Sequence, residues 1–426
     1  MEFEYISVVR FAVIVIIGTL LMYLINEFLR RRRMINVEQD AQNLRLDLLR
    51  EQVRYHHTKA TQQEEKNLNA WSGTRKFRVD RIVPEATDIC SFYLAPHDGK
   101  PLPAFDPGQY LTFQLDVAGH DRAVIRCYSL SDSPLERDRY RVTIKRIGPP
   151  RKEPDAPPGV SSGYFHTVLK EGDILDCKSP GGNFYLDTAE HTPIVLIGGG
   201  IGITPMLSML KTVCMSGSKR ETWLFYGVRD GAELVQPEVF RELEKAHENV
   251  HVRFCFSSPA EHEKQGEHYD HHSRVTVDLM QEVLPSMNYD YYICGPGPMM
   301  NSITEGLEAA GVEKNHVHYE SFGPASVKPK TPPPTAEADS GVSFKVMFAK
   351  SNKELDWQPS SGTILDFAEA NGINMDCGCR AGSCGTCTIA VREGTFDYID
   401  EISAETEAGS CLACMAVPKD RLVIDA

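Results

Sequence analysis

Cys379-Arg-Ala-Gly-Ser-Cys384-Gly-Thr-Cys387 places three thiols at C-x4-C-x2-C spacing in a stretch of small residues. A fourth, Cys414, follows within Leu412-Ala-Cys-Met-Ala-Val-Pro418. Four thiolates at this spacing suit a [2Fe–2S] cluster. Gly378, Gly382 and Gly385 let the backbone wrap closely and turn N–H groups toward the sulfurs. Structural zinc more often shows two C-x2-C pairs or a Cys/His mixture. The cluster is therefore the favoured reading over zinc or plain buried thiols. Its expected ligands are Cys379, Cys384, Cys387 and Cys414.

Residues 342–426 as a whole resemble the plant-type ferredoxins. The resemblance implies an α+β β-grasp fold and a one-electron carrier. Cys411 is a less favoured substitute for Cys414, which sits in the family's Leu-x-Cys-x-Ala-x-Pro context. Cys377 and Cys411 read as small packed thiols.

A chain of 426 residues has room for several domains, and its 42% hydrophobic content supports packed cores. A net charge of −14 argues against a nucleic-acid partner and suits docking to a basic protein patch. The twelve cysteines are scattered, with four assigned to the cluster, which points to a reducing compartment.

From Phe11 to Leu29 the sequence is almost wholly apolar, and Arg30-Arg-Arg-Arg33 follows at once. A span of about 20 residues crosses a bilayer as helix. Positive charge stays on the cytoplasmic side. The expectation is a single transmembrane anchor over 1–33, with the remainder cytoplasmic. Residues 34–71 are polar with Leu44, Leu48 and Val53 at roughly helical spacing, a charged helical stalk.

Over 72–188 short β-rich runs alternate with turns: Lys76–Val83, Ile89–Leu94, Tyr110–Leu115, Ala123–Leu130 and Tyr140–Arg146. This predicts a small antiparallel β-barrel. Arg126-Cys-Tyr128-Ser129 supplies a cation that can hold phosphate, a ring for a flavin face and a hydroxyl for its edge. Gly159-Val-Ser-Ser162 opens a helical run, whose N-terminus is a natural seat for pyrophosphate. Pro180-Gly-Gly-Asn-Phe184 follows.

Over 189–325, Ile194-Val-Leu-Ile197 is a continuous apolar run suited to a buried parallel strand. It enters Gly198-Gly-Gly200-Ile-Gly202-Ile-Thr204-Pro205 and then an apolar helix. Further strands at Trp223–Tyr226, His251–Phe256 and Asp290–Cys294, with helices at 237–247 and 298–311 between and after them, predict an α/β doubly wound sheet. The histidines at 262, 268, 271 and 272 read as a solvated loop.

Together residues 72–325 resemble the ferredoxin–NADP reductase family, most closely the reductase half of flavohaemoglobins. The resemblance implies FAD at Arg126, Tyr128, Ser129, Gly159 and Ser162. It implies a nicotinamide dinucleotide at Gly198, Gly199, Gly200, Gly202, Thr204 and Pro205, with Arg229, Gly295, Pro296 and Met299 contributing. Ser129, Cys294, Glu320 and Phe322 carry over as the catalytic set: Cys294 near the nicotinamide ring, Glu320 as its helper, Phe322 over the flavin. Phe256-Ser257-Ser258-Pro259 lacks the arginine common in NADPH-specific relatives, which favours NADH over NADPH.

Ser326–Gly341 is proline-rich, a semi-rigid tether. The whole reads as a membrane-anchored reductase passing electrons from NADH through FAD and [2Fe–2S] to a protein acceptor at the membrane. The module order resembles the reductases of multicomponent oxygenases and of hybrid-cluster protein. A respiratory NADH:quinone reductase component and a redox sensor without turnover are the alternatives.

Overall fold

The structure is a computed structural model that describes residues 2–68, 70–120, 123–149, 157–320, 322, 343–382, 385–399, 402, 404 and 406–426. In the first helix, α1 (Glu2–Leu68), side chains are described at 15–50, 52–61 and 64. The expected tether 326–341 lies outside the described residues.

The expected membrane span and cytoplasmic placement are corrected. Among the described residues no helix is long and apolar enough to cross a membrane. The described apolar stretch from Val15 ends at Asn26 and Glu27, and Arg30–Arg33 close it. Glu27 pairs with Arg31 at 3.4 Å. About 20 uninterrupted apolar residues are needed for a span, and residues 11–14 lie outside the described side chains.

The flavin-side sheet contains β1 (Arg75–Ala86), β2 (Ile89–Pro96), β3 (Tyr110–Leu115), β4 (Val124–Ser129) and β5 (Tyr140–Lys145). Helix α2 (Val160–Thr167) and strand β6 (Ile174–Cys177) complete it. The strand order is β4-β3-β6-β1-β2-β5, antiparallel throughout. An isolated bridge between Leu130 and Val142 ties the end of β4 to β5 and draws the sheet toward a barrel. Strand β6 was not foreseen; Ile-Leu-Asp-Cys is too short to show a period, yet it lies between β3 and β1. Phe77, Phe92, Phe113, Tyr140 and Phe165 fill the interior.

The second sheet is parallel, in the order β11-β10-β7-β8-β9. Its elements run β7 (Ile194–Gly199), α3 (Ile203–Met215), β8 (Thr222–Val228), α4 (Pro237–Ala246), β9 (Val250–Phe256), α5 (Val277–Val283), β10 (Asp290–Cys294), α6 (Gly297–Ala309) and β11 (Val317–Glu320). Alternate residues feed two cores: Ile194 and Leu196 on one face, Val195 and Ile197 on the other. That two-sided burial is why the strand reads as an unbroken apolar run. The order reverses between β7 and β10, which opens a crevice at their C-terminal ends.

The C-terminal part has a five-stranded mixed sheet. Its elements are β12 (Phe344–Phe348), β13 (Lys353–Trp357), α7 (Ile364–Ala370), β14 (Thr388–Glu393), β15 (Phe396–Tyr398), β16 (Ser410–Leu412), β17 (Ala416–Pro418) and β18 (Leu422–Ile424). The order is β13-β12-β18-β14-β16, with β15 paired to β17 beside it. Thr363 and Asp366 form a capping box on α7, satisfying backbone N–H groups that the helix start would leave open.

Candidate functional site

One cavity of about 480 Å³ is lined by residues from all three sheet domains. Arg126, Tyr128 and Ser129 come from β4, Gly159 and Ser162 from the start of α2, and Thr204 from α3. Glu320 ends β11, Phe322 follows it, and Cys379 and Arg380 come from the thiol-rich loop. β4 is an edge strand bonded only to β3 among the named strands, so its free side is open to the cavity.

The cavity is polar where a ligand would need it. Tyr128 Oη lies 2.9 Å from Ser161 Oγ, and burial raises the phenol above its ordinary value. Ser162 Oγ accepts from the Ile147 N–H (3.1 Å) and donates to the Gly159 carbonyl (3.3 Å), so it braces the loop before α2. Ser129 Oγ and Glu320 Oε2 are buried and find no hydrogen-bond partner among the described residues. Buried polar atoms are almost always paired. Two orphans in one cavity fit a polar ring system such as a flavin or nicotinamide. Burial first, and then the Cys379 thiol, push the Glu320 carboxyl up to about 8.

The glycine-rich turn adjoins the crevice between β7 and β10. Gly198, Cys294 and Glu320 lie side by side across β7, β10 and β11. A Cβ on Gly202 would stand 2.2 Å from the Cys294 carbonyl oxygen. One on Gly199 would stand 2.6 Å from Met299 Sδ and 2.9 Å from Pro296 Cδ, and one on Gly295 2.6 Å from Met299 Cε. Gly199 and Gly202 therefore pack against 294–299 with no room for a side chain, whereas Gly200 faces open space at φ +53°. Gly200 and Pro205 belong to the same turn and helix start. Thr204 Oγ1 donates to the Ile201 carbonyl at 3.1 Å. Cys294 is fully buried, its thiol driven well up by burial and by Glu320. It does not line the cavity, and neither does Arg229, which is half-exposed beside Asp230.

In the thiol loop Cys387 and Cys414 are brought into contact, Sγ to Sγ 3.1 Å, and both are buried. The contact lowers Cys387 and raises Cys414, favouring one thiolate. The Ala381 N–H donates to Cys379 Sγ at 3.4 Å. Cys384 lies outside the described residues. Among the described residues no three His, Cys, Asp or Glu side chains are gathered as a metal-ion site. Two touching sulfurs and an N–H donor on a third suit thiolate ligation of iron. Cys411 is fully buried on β16, its thiol pushed up to about 12 by burial.

Tyr110, Cys127, Thr143, Lys145, Ser161 and Arg380 also line the cavity and were not foreseen. Ser161 was adjacent to a chosen serine. Lys145 and Thr143 belong to β5, whose approach to α2 has no local signal. Arg380 has a left-handed backbone (φ 56°), and its guanidinium pairs with Glu369 at 3.0 Å.

Three family models match in sequence: an oxidoreductase FAD-binding domain at 78–185, an oxidoreductase NAD-binding domain at 196–305, and a 2Fe-2S iron–sulfur cluster binding domain at 347–419. A flavohemoprotein of Halalkalibacterium halodurans is 36% identical over 255 residues, covering 60% of this chain and 61% of the relative. The chain thus spans about three fifths of that relative's length. The flavohem-like FAD/NAD-binding domain of nitric oxide dioxygenase from Vibrio cholerae is similar at 28% identity and TM-score 0.52, covering 59% of this chain and 99% of that one. Phthalate dioxygenase reductase, described as a modular structure for electron transfer from pyridine nucleotides to [2Fe–2S], is similar at 26% identity and TM-score 0.52. That match covers 83% of this chain and 98% of the reductase. With FAD-binding, NAD-binding and cluster-binding domains in that order, the chain is an oxidoreductase on the plan of ferredoxin–NADP-reductase-like proteins, with FAD, NAD(P)H and [2Fe–2S] as its cofactors.

Proposed function

We propose that the chain is a reductase that passes electrons from NADH through FAD and [2Fe–2S] to an acceptor protein, such as an oxygenase or a hybrid-cluster-type component. The observation that carries this reading is the shared cavity: Ser129, Glu320, Phe322 and Cys379 line one space. A donor, a flavin and a cluster seated there would be neighbours with no carrier between them. The functional boundaries we assign are 72–188 for FAD, 189–325 for the nicotinamide and 342–426 for the cluster.

Bound FAD and [2Fe–2S] would supply the redox chemistry, an electron pair taken as hydride from NADH and released singly to two one-electron acceptors. Arg126 would hold phosphate, and the N–H groups at Gly159–Ser162 would face pyrophosphate. Tyr128 and Phe322 would flank the flavin ring, with Phe322 giving way to nicotinamide. Ser129 Oγ would meet the ring edge with a hydroxyl that no other described residue engages. Gly198–Gly202, Thr204 and Pro205 would take the nicotinamide pyrophosphate, with Arg229 toward the adenosine end. Cys294, Gly295, Pro296 and Met299 would shape the wall beside the nicotinamide, and Glu320 would bond its amide. Cys379, Cys384, Cys387 and Cys414 would ligate the cluster. The absence of an arginine after Phe256 favours NADH.

The test is NADH-driven reduction of cytochrome c by purified protein containing FAD and acid-labile sulfide. Replacing Cys387→Ser should abolish cytochrome c reduction and leave bleaching of the flavin by NADH. Full cytochrome c reduction in that variant would remove the cluster from the route. A tenfold preference, on the order of 1.4 kcal/mol, for NADPH over NADH in kcat/KM would reverse the choice of donor.

A further inference from the structure

The contact between the flavin-side barrel and the nicotinamide domain buries Ile89, Phe184 and Leu186 in the nicotinamide-side core, and beside this apolar packing a set of polar bonds meets at one buried arginine. After β4, Asp132 lies along α3: its carbonyl accepts from Ser208 Oγ (2.7 Å) and its carboxylate from Lys211 Nζ (2.8 Å). The hydroxyls of Ser133 and Thr212 are 3.1 Å apart. Ser129, just before this segment, and Thr204, in the first turn of α3, both line the cavity. The grip on α3 thus joins two cavity walls.

A second contact forms at Gln236, the residue before α4. Its Oε1 accepts from an Arg141 guanidinium N–H (3.2 Å) and its Nε2 donates to Glu85 Oε1 (2.8 Å), both on the barrel. Alongside, the Thr87 N–H donates to the Ala232 carbonyl (2.9 Å). Arg141 links the two contacts. It is 2% exposed, bonds Ser131 through Nε (3.2 Å), and lies 3.5 Å from the Asp132 carboxylate.

Gln236 is in the left-handed region, φ 49° and ψ 47°, a conformation that costs a residue bearing a Cβ. Helix starts favour Ser, Thr, Asp or Asn because their side chains cap the free N–H groups. Gln236 makes no such cap bond. Its side-chain amide instead bonds the facing domain through both its oxygen and its nitrogen.

We propose that Gln236, Arg141 and Asp132 form an interdomain latch that sets the separation between nicotinamide and flavin faces, and so governs the rate of hydride delivery rather than cofactor affinity. These are positioning residues. The proposal rests on the reductase reading above. Hydride passes only at near-contact, and a misplacement of about 1 Å costs up to about a hundredfold in rate.

The test uses the full chain with bound FAD. Gln236→Gly accepts the left-handed backbone without strain and deletes both side-chain bonds. Its melting temperature should hold or rise. In anaerobic stopped-flow its limiting rate of flavin reduction at saturating NADH should fall about tenfold, with the NADH dissociation constant within about twofold of wild type. Glu85→Ala removes one leg from the barrel side with no backbone change and should slow the same step less. A limiting rate within about twofold of wild type in Gln236→Gly, or in Glu85→Ala should the glycine variant not fold, overturns the latch. So does a loss that merely tracks lost FAD. Wild-type flavin that neither NADH nor NADPH reduces would instead overturn the reductase reading.

Discussion

Gly202 in the glycine-rich turn and Gly385 in the thiol loop are glycines for different reasons. At Gly202 the requirement is space, since a Cβ would sit 2.2 Å from the Cys294 carbonyl oxygen, and a backbone atom cannot swing aside. At Gly385 the requirement is conformation. Its φ is +67°, while the nearest atoms to a Cβ, on Ala404 and Thr388, stand 3.9 Å away in ordinary contact. The nicotinamide side is thus a closely packed joint between two strands. At Gly385 the thiol loop has a left-handed backbone with room beside it, while a Cβ on Gly382 of the same loop, also left-handed, would stand 3.0 Å from Ile402 and Met415. Damage to the joint should spread through the doubly wound sheet, whereas damage to the loop should stay local.

The largest effect should come from Gly202→Ala. Overpacking against backbone costs about 1–3 kcal/mol and sometimes more, and here it would push β10 off α3. NADH should no longer bleach the flavin, while the barrel keeps its FAD; stopped-flow and flavin content read both at once. Normal bleaching in this variant would erase the distinction between the two loops. Gly385→Ala should be milder. The left-handed backbone costs about 1–2 kcal/mol with a Cβ attached. Acid-labile sulfide per chain should drop and cytochrome c reduction with it, with NADH-to-flavin transfer unchanged. If the flavin step slows equally, the loop's effects are not local.

The smallest effect concerns pH. His318 on β11 stacks on Tyr292 with ring centroids 4.7 Å apart, and burial holds its pKa below the ordinary value. The unfolded chain therefore takes up this proton more readily than the folded one. Stability from the neutral ring is complete above about pH 6.5 and is lost as pH falls through that value toward the folded one. His318→Gln should flatten this part of the stability curve, a change of about one or two degrees in Tm between neutral and mildly acid solution. A slope that survives the substitution would assign it to another group.

Local sequence carried much of this architecture. Ile194–Ile197 announced a strand buried on both faces because both cores need it, and the glycines after it announced a turn into a helix. The alternating runs of the barrel were legible for the same reason. Strand β6 was not, since four residues show no period and its place between β3 and β1 is a long-range choice. The apolar run near the N-terminus misled in the opposite way: its composition suggested a span, but Asn26, Glu27 and the arginines cut short the described stretch.

The cavity marks the division most clearly. Arg126, Tyr128, Ser129 and the thiol spacing are properties of short segments, and so are the cofactor classes they suit. That Ser129 and Glu320 share one space with Cys379, that Lys145 and Arg380 join them, and that Gln236 holds two domains together were decided by packing. Short-range order follows from hydrophobic period and backbone allowance, which neighbouring residues set. Which walls face each other depends on contacts between segments far apart in the chain, such as Asp132 with Lys211 and Glu85 with Gln236, and no local pattern encodes those.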